Sequence, residues 1–179
     1  MNCKDAGFSL IELIATIAVL AVVAAIGGPS MSDLLMQHRA ASARYQITTS
    51  LASARIAAVT DGQPVSVCPI DSSPRCRSDG IWEKGWMTFR DGASKGQPTG
   101  PESILHIEQG LGSRLLLRTT PGRKLARFQP DGRSGGSTLT LSLCASRDKR
   151  PLGQVILSNV GRSRTVAQPK ADSTCAKAN

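Results

Sequence analysis

Residues 8–28 form an almost unbroken apolar run, and positions 13–28 carry no charge and one polar side chain, Thr16. About 21 residues at about 1.5 Å each span roughly 30 Å of hydrocarbon. One carboxylate, Glu12, sits near the start of this run. Deep in a bilayer it costs about 2.5–3.5 kcal/mol, so an acid here either lies at headgroup level or is kept for a purpose. Past Gly28-Pro29, a pair that can kink or restart a helix, Ser30 and Asp33 have the spacing of a capping box with Asp in place of Glu. Leu34, Ala41, Tyr45, Ala52, Ile56 and Val59 then recur at intervals of three, four or seven. That period predicts an amphipathic helix packed on a domain through this stripe. Asp61-Gly62-Gln63-Pro64 supplies a glycine stop and a proline that forbids continuation. One helix is therefore expected from about residue 8 to about residue 60.

After Pro64 the period shortens to two. Segments 65–68, 86–89, 103–108, 114–119, 125–128, 137–144 and 154–158 read as short strands between Gly or Pro turns. A long helix followed by an antiparallel sheet is an α+β arrangement.

The start of the chain fits a secretory signal peptide poorly. Such a peptide needs a basic leading region, about 7–15 apolar residues and a small-residue cleavage site on their far side. Here the basic region is Lys4 alone, the run is too long, and an acid lies within it. A plain membrane anchor leaves Glu12 and the Gly7-Phe8-Ser9 step without a role. Cleavage ahead of the run, after Gly7, would leave the helix on the mature protein. The stretch Gly7-Phe8-Ser9-Leu10-Ile11-Glu12-Leu13 resembles the prepilin signature shared by type IV pilins and type II secretion pseudopilins. The resemblance implies a prepilin peptidase that cuts between Gly7 and Phe8 and methylates Phe8. It also implies that Glu12 pairs with the amino terminus of a neighbouring subunit, which makes a buried acid tolerable. The expected organisation is a leader at 1–7, a transmembrane half-helix at 8–29, an amphipathic half-helix at 30–62 and a periplasmic β-rich domain at 63–179. The protein would cross the inner membrane once.

Val67-Cys68-Pro69, Cys76, Gly85-Trp86, Asp91-Gly92, Leu143-Cys144 and Gly161-Arg162-Ser163-Arg164 follow one another in an order similar to that of the GspH/FimT family. Its members are minor pseudopilins with a β-sandwich-like domain. The likeness covers nearly all of the mature chain and is loosest over 98–130. With Cys3 removed in the leader, Cys68, Cys76, Cys144 and Cys175 remain. In an exported domain four cysteines read as two disulfides, with three connectivities open. The short polar loop between Cys68 and Cys76 favours a local bridge. Cys144 with Cys175 would then tie the tail to a strand, each bridge contributing about 2–4 kcal/mol. A metal site needs closely spaced ligands, and the chain has none, so neither metal nor other cofactor is expected. His38 and His106 read as surface residues, and no nucleophile motif, phosphate loop or convincing carboxylate pair is present. No enzyme is expected.

Charge adds the remaining clue. The net charge is +9, yet residues 30–110 hold eight Lys or Arg and eight Asp or Glu. Residues 111–179 hold thirteen basic residues against three acidic ones, a balance of +10. Such asymmetry fits either a polyanionic partner or a solvated basic face. Arg162 and Arg164 are two apart, so on an extended segment both project from one face, about 6.6 Å apart. Their planar forks suit phosphate oxygens. A Gly-Arg-x-Arg motif is similar to the mark of the FimT branch, pilus-associated receptors for DNA taken up in transformation. The GspH branch belongs to the type II secretion pseudopilus. Within 111–179 the only aromatic residue is Phe128, which argues against base stacking, and no helix or ribbon is aimed at base edges. The expected partner is therefore duplex DNA held by its phosphates without sequence preference, through Arg162, Arg164, Arg147, Lys149, Arg150 and Lys170. Other minor pilins or pseudopilins, the prepilin peptidase and the inner membrane complete the expected partners. The alternative is a GspH-like assembly role at a pseudopilus tip.

Overall fold

The computed structural model describes residues 9–120, 122–167 and 173–176, with backbone alone at 26–30, 173 and 176. Helix α1 (Leu10–Asp61) begins where the Ser9 carbonyl accepts from the N–H groups of Glu12 and Leu13. Glu12 in its first turn sets a negative charge at the positive end of the helix dipole. The backbone stays helical through Gly28 and Pro29, so no second helix starts at Ser30 for a capping box to serve. At the other end Gly62 takes φ +62°, a left-handed stop, and Pro64 follows.

The chain divides into two compact units, residues 1–38 and 39–179. In the first, Leu10, Ile11, Leu13, Ile14, Ile17 and Leu20 are exposed. Among the described residues no helix is long and apolar enough to cross a membrane. The span expected at 8–29 takes in Phe8 and the side chains of 26–29, which lie outside them, as do Cys3 and Gly7.

In the second unit α1 buries Ala40, Ala43, Ile47, Leu51, Ala54 and Ala58. This corrects the expected packing stripe. Ala41, Tyr45, Ala52, Ile56 and Val59 are exposed, Tyr45 by 74% and Ile56 by 66%, and in the first unit Leu34 is exposed too. Both sets keep the helical period, but at about 100° per residue they lie on different sides of the helix. The buried set is mostly alanine because small side chains let a helix backbone approach a sheet closely. Larger apolar residues are left facing outward. Trp86, buried in the sheet, donates its Nε1–H to Ser50 Oγ on the helix at 3.0 Å. Arg44 donates from Nη1 to the carbonyl of Leu152 at 2.6 Å.

Two open antiparallel sheets complete this unit. The first has the order β3-β2-β1-β5, from β1 (Val65–Pro69), β2 (Gly85–Arg90), β3 (Ile104–Gln109) and β5 (Ala126–Phe128). The second has the order β4-β6-β7-β8, from β4 (Leu115–Thr119), β6 (Leu139–Ala145), β7 (Pro151–Leu157) and β8 (Ser163–Val166). Val65 lies opposite Arg90 and Pro69 opposite Trp86, with β1 buried along its whole length. In the second sheet Leu115 faces Ala145 and Leu139 faces Leu157. The fold is α+β. Seven strands fall on the expected segments with no end moved by more than three residues, and β8 is an additional one.

Polar contacts hold the loops between these strands. Buried Asp91 accepts from Ser66 Oγ at 2.8 Å and from the Gly96 N–H, and pairs with Arg127 at 2.7 Å. Glu83, ahead of β2, pairs with Arg118 on β4 at 2.7 Å with both side chains largely buried. Arg77 bridges Asp71 at 2.6 Å and Asp79 more closely; its hydrogen bond holds the Asp79 carboxyl below the usual range. Cys68 is bonded to Cys76, and Cys144 on β6 to Cys175 in α2 (Ser173–Ala176), a single turn that lies against β4 and β6.

Candidate nucleic-acid interface

Strand β8 lies at the edge of its sheet, antiparallel to β7, with Ser163 opposite Leu157 and Arg164 opposite Ile156. Val155 and Leu157 point into the core. Strand alternation then turns Ile156 and its neighbour Arg164 to the other face. Arg162 lies two residues earlier, with its carbonyl accepting from the N–H and Oγ–H of Ser158, each at 3.0 Å. The turn between them closes through a 3.0 Å bond from the Gly161 N–H to the Ser158 carbonyl.

Gly161 explains why this turn is rigid. It takes φ +77°, and a Cβ there would sit 2.0 Å from the carbonyl oxygen of Gly132. No other residue fits against the 131–137 loop, which adds a 2.9 Å bond from the Ser134 N–H to the Asn159 carbonyl. Arg162 and Arg164 therefore leave a braced hairpin, both exposed. Among the described residues neither guanidinium has an ion-pair partner.

The other expected cations are placed differently. Arg147, Lys149 and Arg150 occupy the β6–β7 turn, at the opposite end of β7 from Arg162. Seven strand residues separate these ends, about 20 Å. Arg150 also pairs with Asp148 at 3.7 Å. The structure thus separates the two basic clusters. Lys170 lies outside the described residues.

Cations not singled out in the sequence take their place near Arg162. Arg55 of α1 shares with Arg162 a cleft of about 390 Å³, floored by Leu51, Ala52 and Ile56. Arg133 stands in the 131–137 loop and pairs with Asp131 at 2.7 Å. Beyond that loop, Arg123, Lys124 and Arg127 line a hollow of about 500 Å³. Among the described residues Arg123 donates to neutral acceptors, the carbonyls of Leu125 and Ser137 and the Ser134 hydroxyl. Burial, with the charge of Arg127 beside it, holds its pKa below the usual arginine value. The basic balance of 111–179 was the sequence signal for Arg123, Lys124 and Arg133. Arg55 had none, because its neighbours are distant in the chain.

A long N-terminal helix, two antiparallel sheets and an amino-terminal methylation motif define a protein of the type IV pilin-like class. The chain belongs to the GspH family, whose model, described as type II transport protein GspH, matches residues 43–161. The prokaryotic N-terminal methylation motif matches residues 2–28. Among solved structures the chain is similar to the type IV minor pilin FimU of Pseudomonas aeruginosa at 18% identity and a TM-score of 0.61. That match covers 79% of this chain and 98% of the other. The minor pseudopilin EpsH of the type 2 secretion system of Vibrio cholerae aligns at 16% identity and a TM-score of 0.51, over 72% of this chain and 97% of its own. At these identities the likeness is one of fold. No curated protein sequence matches the chain.

Proposed function

We propose that this protein is a FimT-like minor pilin that binds duplex DNA through its phosphate backbone for uptake in transformation. The observation that carries this reading is the pair Arg162 and Arg164, both exposed, one just ahead of edge strand β8 and one within it, with no acidic partner among the described residues. Two forks about 6.6 Å apart match the spacing of neighbouring phosphates along one strand. Among the described residues after 110 the one aromatic side chain, Phe128, is fully buried, so bases have no ring to stack on and a duplex fits better than a single strand. Purified full-length chain in detergent should bind duplexes of unrelated sequence with similar affinity. The log of that affinity should fall linearly with log salt, by about 0.9 per phosphate neutralised. Binding that is absent, or insensitive to salt, leaves the GspH-like reading, in which the protein serves only assembly of a secretion pseudopilus. The similarity in fold to EpsH supports that alternative.

The same reading includes processing and anchoring. The match to the N-terminal methylation motif supports cleavage between Gly7 and Phe8, methylation of Phe8, a membrane-embedded first half of the helix at 8–29 and a periplasmic domain. Glu12, exposed in the first turn of α1, would meet the amino terminus of a neighbouring subunit. Intact mass of membrane-extracted protein should show loss of residues 1–7 and gain of one methyl group. A chain that keeps Met1, or one cut after Gly28, would refute this processing.

A further inference from the structure

We infer that the cleft between α1 and the β7–β8 turn is a phosphodiester site, lined by both Arg55 and Arg162, with the attached sugar against its apolar residues. The inference rests on the DNA reading for its ligand, and goes beyond it by assigning a helix residue to the site.

The geometry supplies the parts. Arg55 and Arg162 both line the cleft, while Leu51, Ala52 and Ile56 form the floor. Gly161 lines the cleft beside Arg162, and its backbone packs against that of Gly132, both glycines with positive φ. A Cβ at Gly132 would meet Arg55 Nε at 3.1 Å and Nη2 at 3.4 Å. The Arg55 guanidinium is thus packed along the loop that braces Arg162, rather than free in solvent.

Electrostatics indicates what is missing. Arg133 is compensated by Asp131 and Arg127 by Asp91. Arg55 and Arg162 have no carboxylate among the described residues, so two like charges share one cleft and repel. An anion seated between them relieves that repulsion and accepts charge-assisted hydrogen bonds from both forks. Phosphate oxygens suit the planar guanidinium donors. The floor of Leu51, Ala52 and Ile56 offers a deoxyribose an apolar seat, which a free inorganic ion would leave unused.

The test uses full-length chain in detergent with a fluorescently labelled duplex, titrated across a salt series. Arg55→Gln should weaken binding about three- to tenfold and lower the salt slope by about 0.9. Arg55→Lys, which keeps the charge, should retain the parent slope, an outcome that a merely structural role for Arg55 does not produce. Parent-like affinity and slope in Arg55→Gln, alongside a clear loss in Arg162→Gln, overturn the cleft and leave the DNA reading standing. If the parent chain itself fails to bind DNA, titration with inorganic phosphate decides the cleft alone. Shifts in the Nε–H resonances of both Arg55 and Arg162 support it, and unmoved resonances refute it.

Discussion

Replacing Arg162 and Arg164 together with Gln should weaken duplex binding by about a hundredfold and abolish transformation while pili still assemble. Each guanidinium–phosphate contact is a charge-assisted hydrogen bond contributing about 1.5–3 kcal/mol. Two such contacts near the lower figure sum to about 3 kcal/mol, and each 1.4 kcal/mol is about tenfold in affinity. The salt slope should also fall, by up to about two, because two phosphates are no longer neutralised. Both side chains are exposed, Arg164 on edge strand β8 and Arg162 just ahead of it, and neither side chain makes the strand's backbone bonds. The fold should therefore survive the change, and an unaltered melting temperature is the check. Should the double variant bind DNA as the parent does, the receptor reading loses its site.

Arg147, Lys149 and Arg150 provide the contrast. They lie about 20 Å away along β7, beyond the roughly 8 Å screening length at physiological salt. Their charges enlarge the basic field without meeting the same phosphates. Arg44 is a poor neutral control, since its donation to the Leu152 carbonyl makes it part of the packing.

Alternation of apolar and polar residues made seven strands legible because their inward faces carry Val, Leu, Ile and Phe. It missed β8, where Ser-Arg-Thr-Val is too short and too polar to announce a strand at a sheet edge. There the pairing comes from β7, a tertiary partner that local composition does not encode. The helix was legible in extent but not in orientation. Its period contains two stripes, and the one richer in large apolar residues, with Tyr45, Ile56 and Val59, faces outward. Hydropathy favours that stripe, whereas close approach to the sheet selects Ala40, Ala43, Ala54 and Ala58. The Arg162/Arg164 pair was readable because its two-residue spacing is local. Arg55 was not, since only the folded turn at Gly132 and Gly161 brings it beside Arg162.

The outward stripe leads to the second large effect: Ala41→Asp with Tyr45→Asp should leave the domain folded yet eliminate the protein from assembled filaments. Both residues are exposed in the isolated chain, Tyr45 by 74%, and exposed substitutions typically move stability by no more than about 0.5 kcal/mol. A subunit packed against the part of this stripe at Ala41 and Tyr45, away from the Arg55–Arg162 cleft, would change that balance. Covering a large apolar side chain contributes about 1.5–3 kcal/mol, and a buried, unpaired carboxylate adds a penalty of several kcal/mol. Together these terms exceed about 3 kcal/mol, a loss of more than a hundredfold in incorporation. DNA binding by the purified chain should be unchanged, because neither residue lines the Arg55–Arg162 cleft. Sheared filament fractions probed for this protein give the readout. Normal incorporation of the double variant would mean that the stripe faces solvent in the assembled state and that the subunit contact lies elsewhere on the chain.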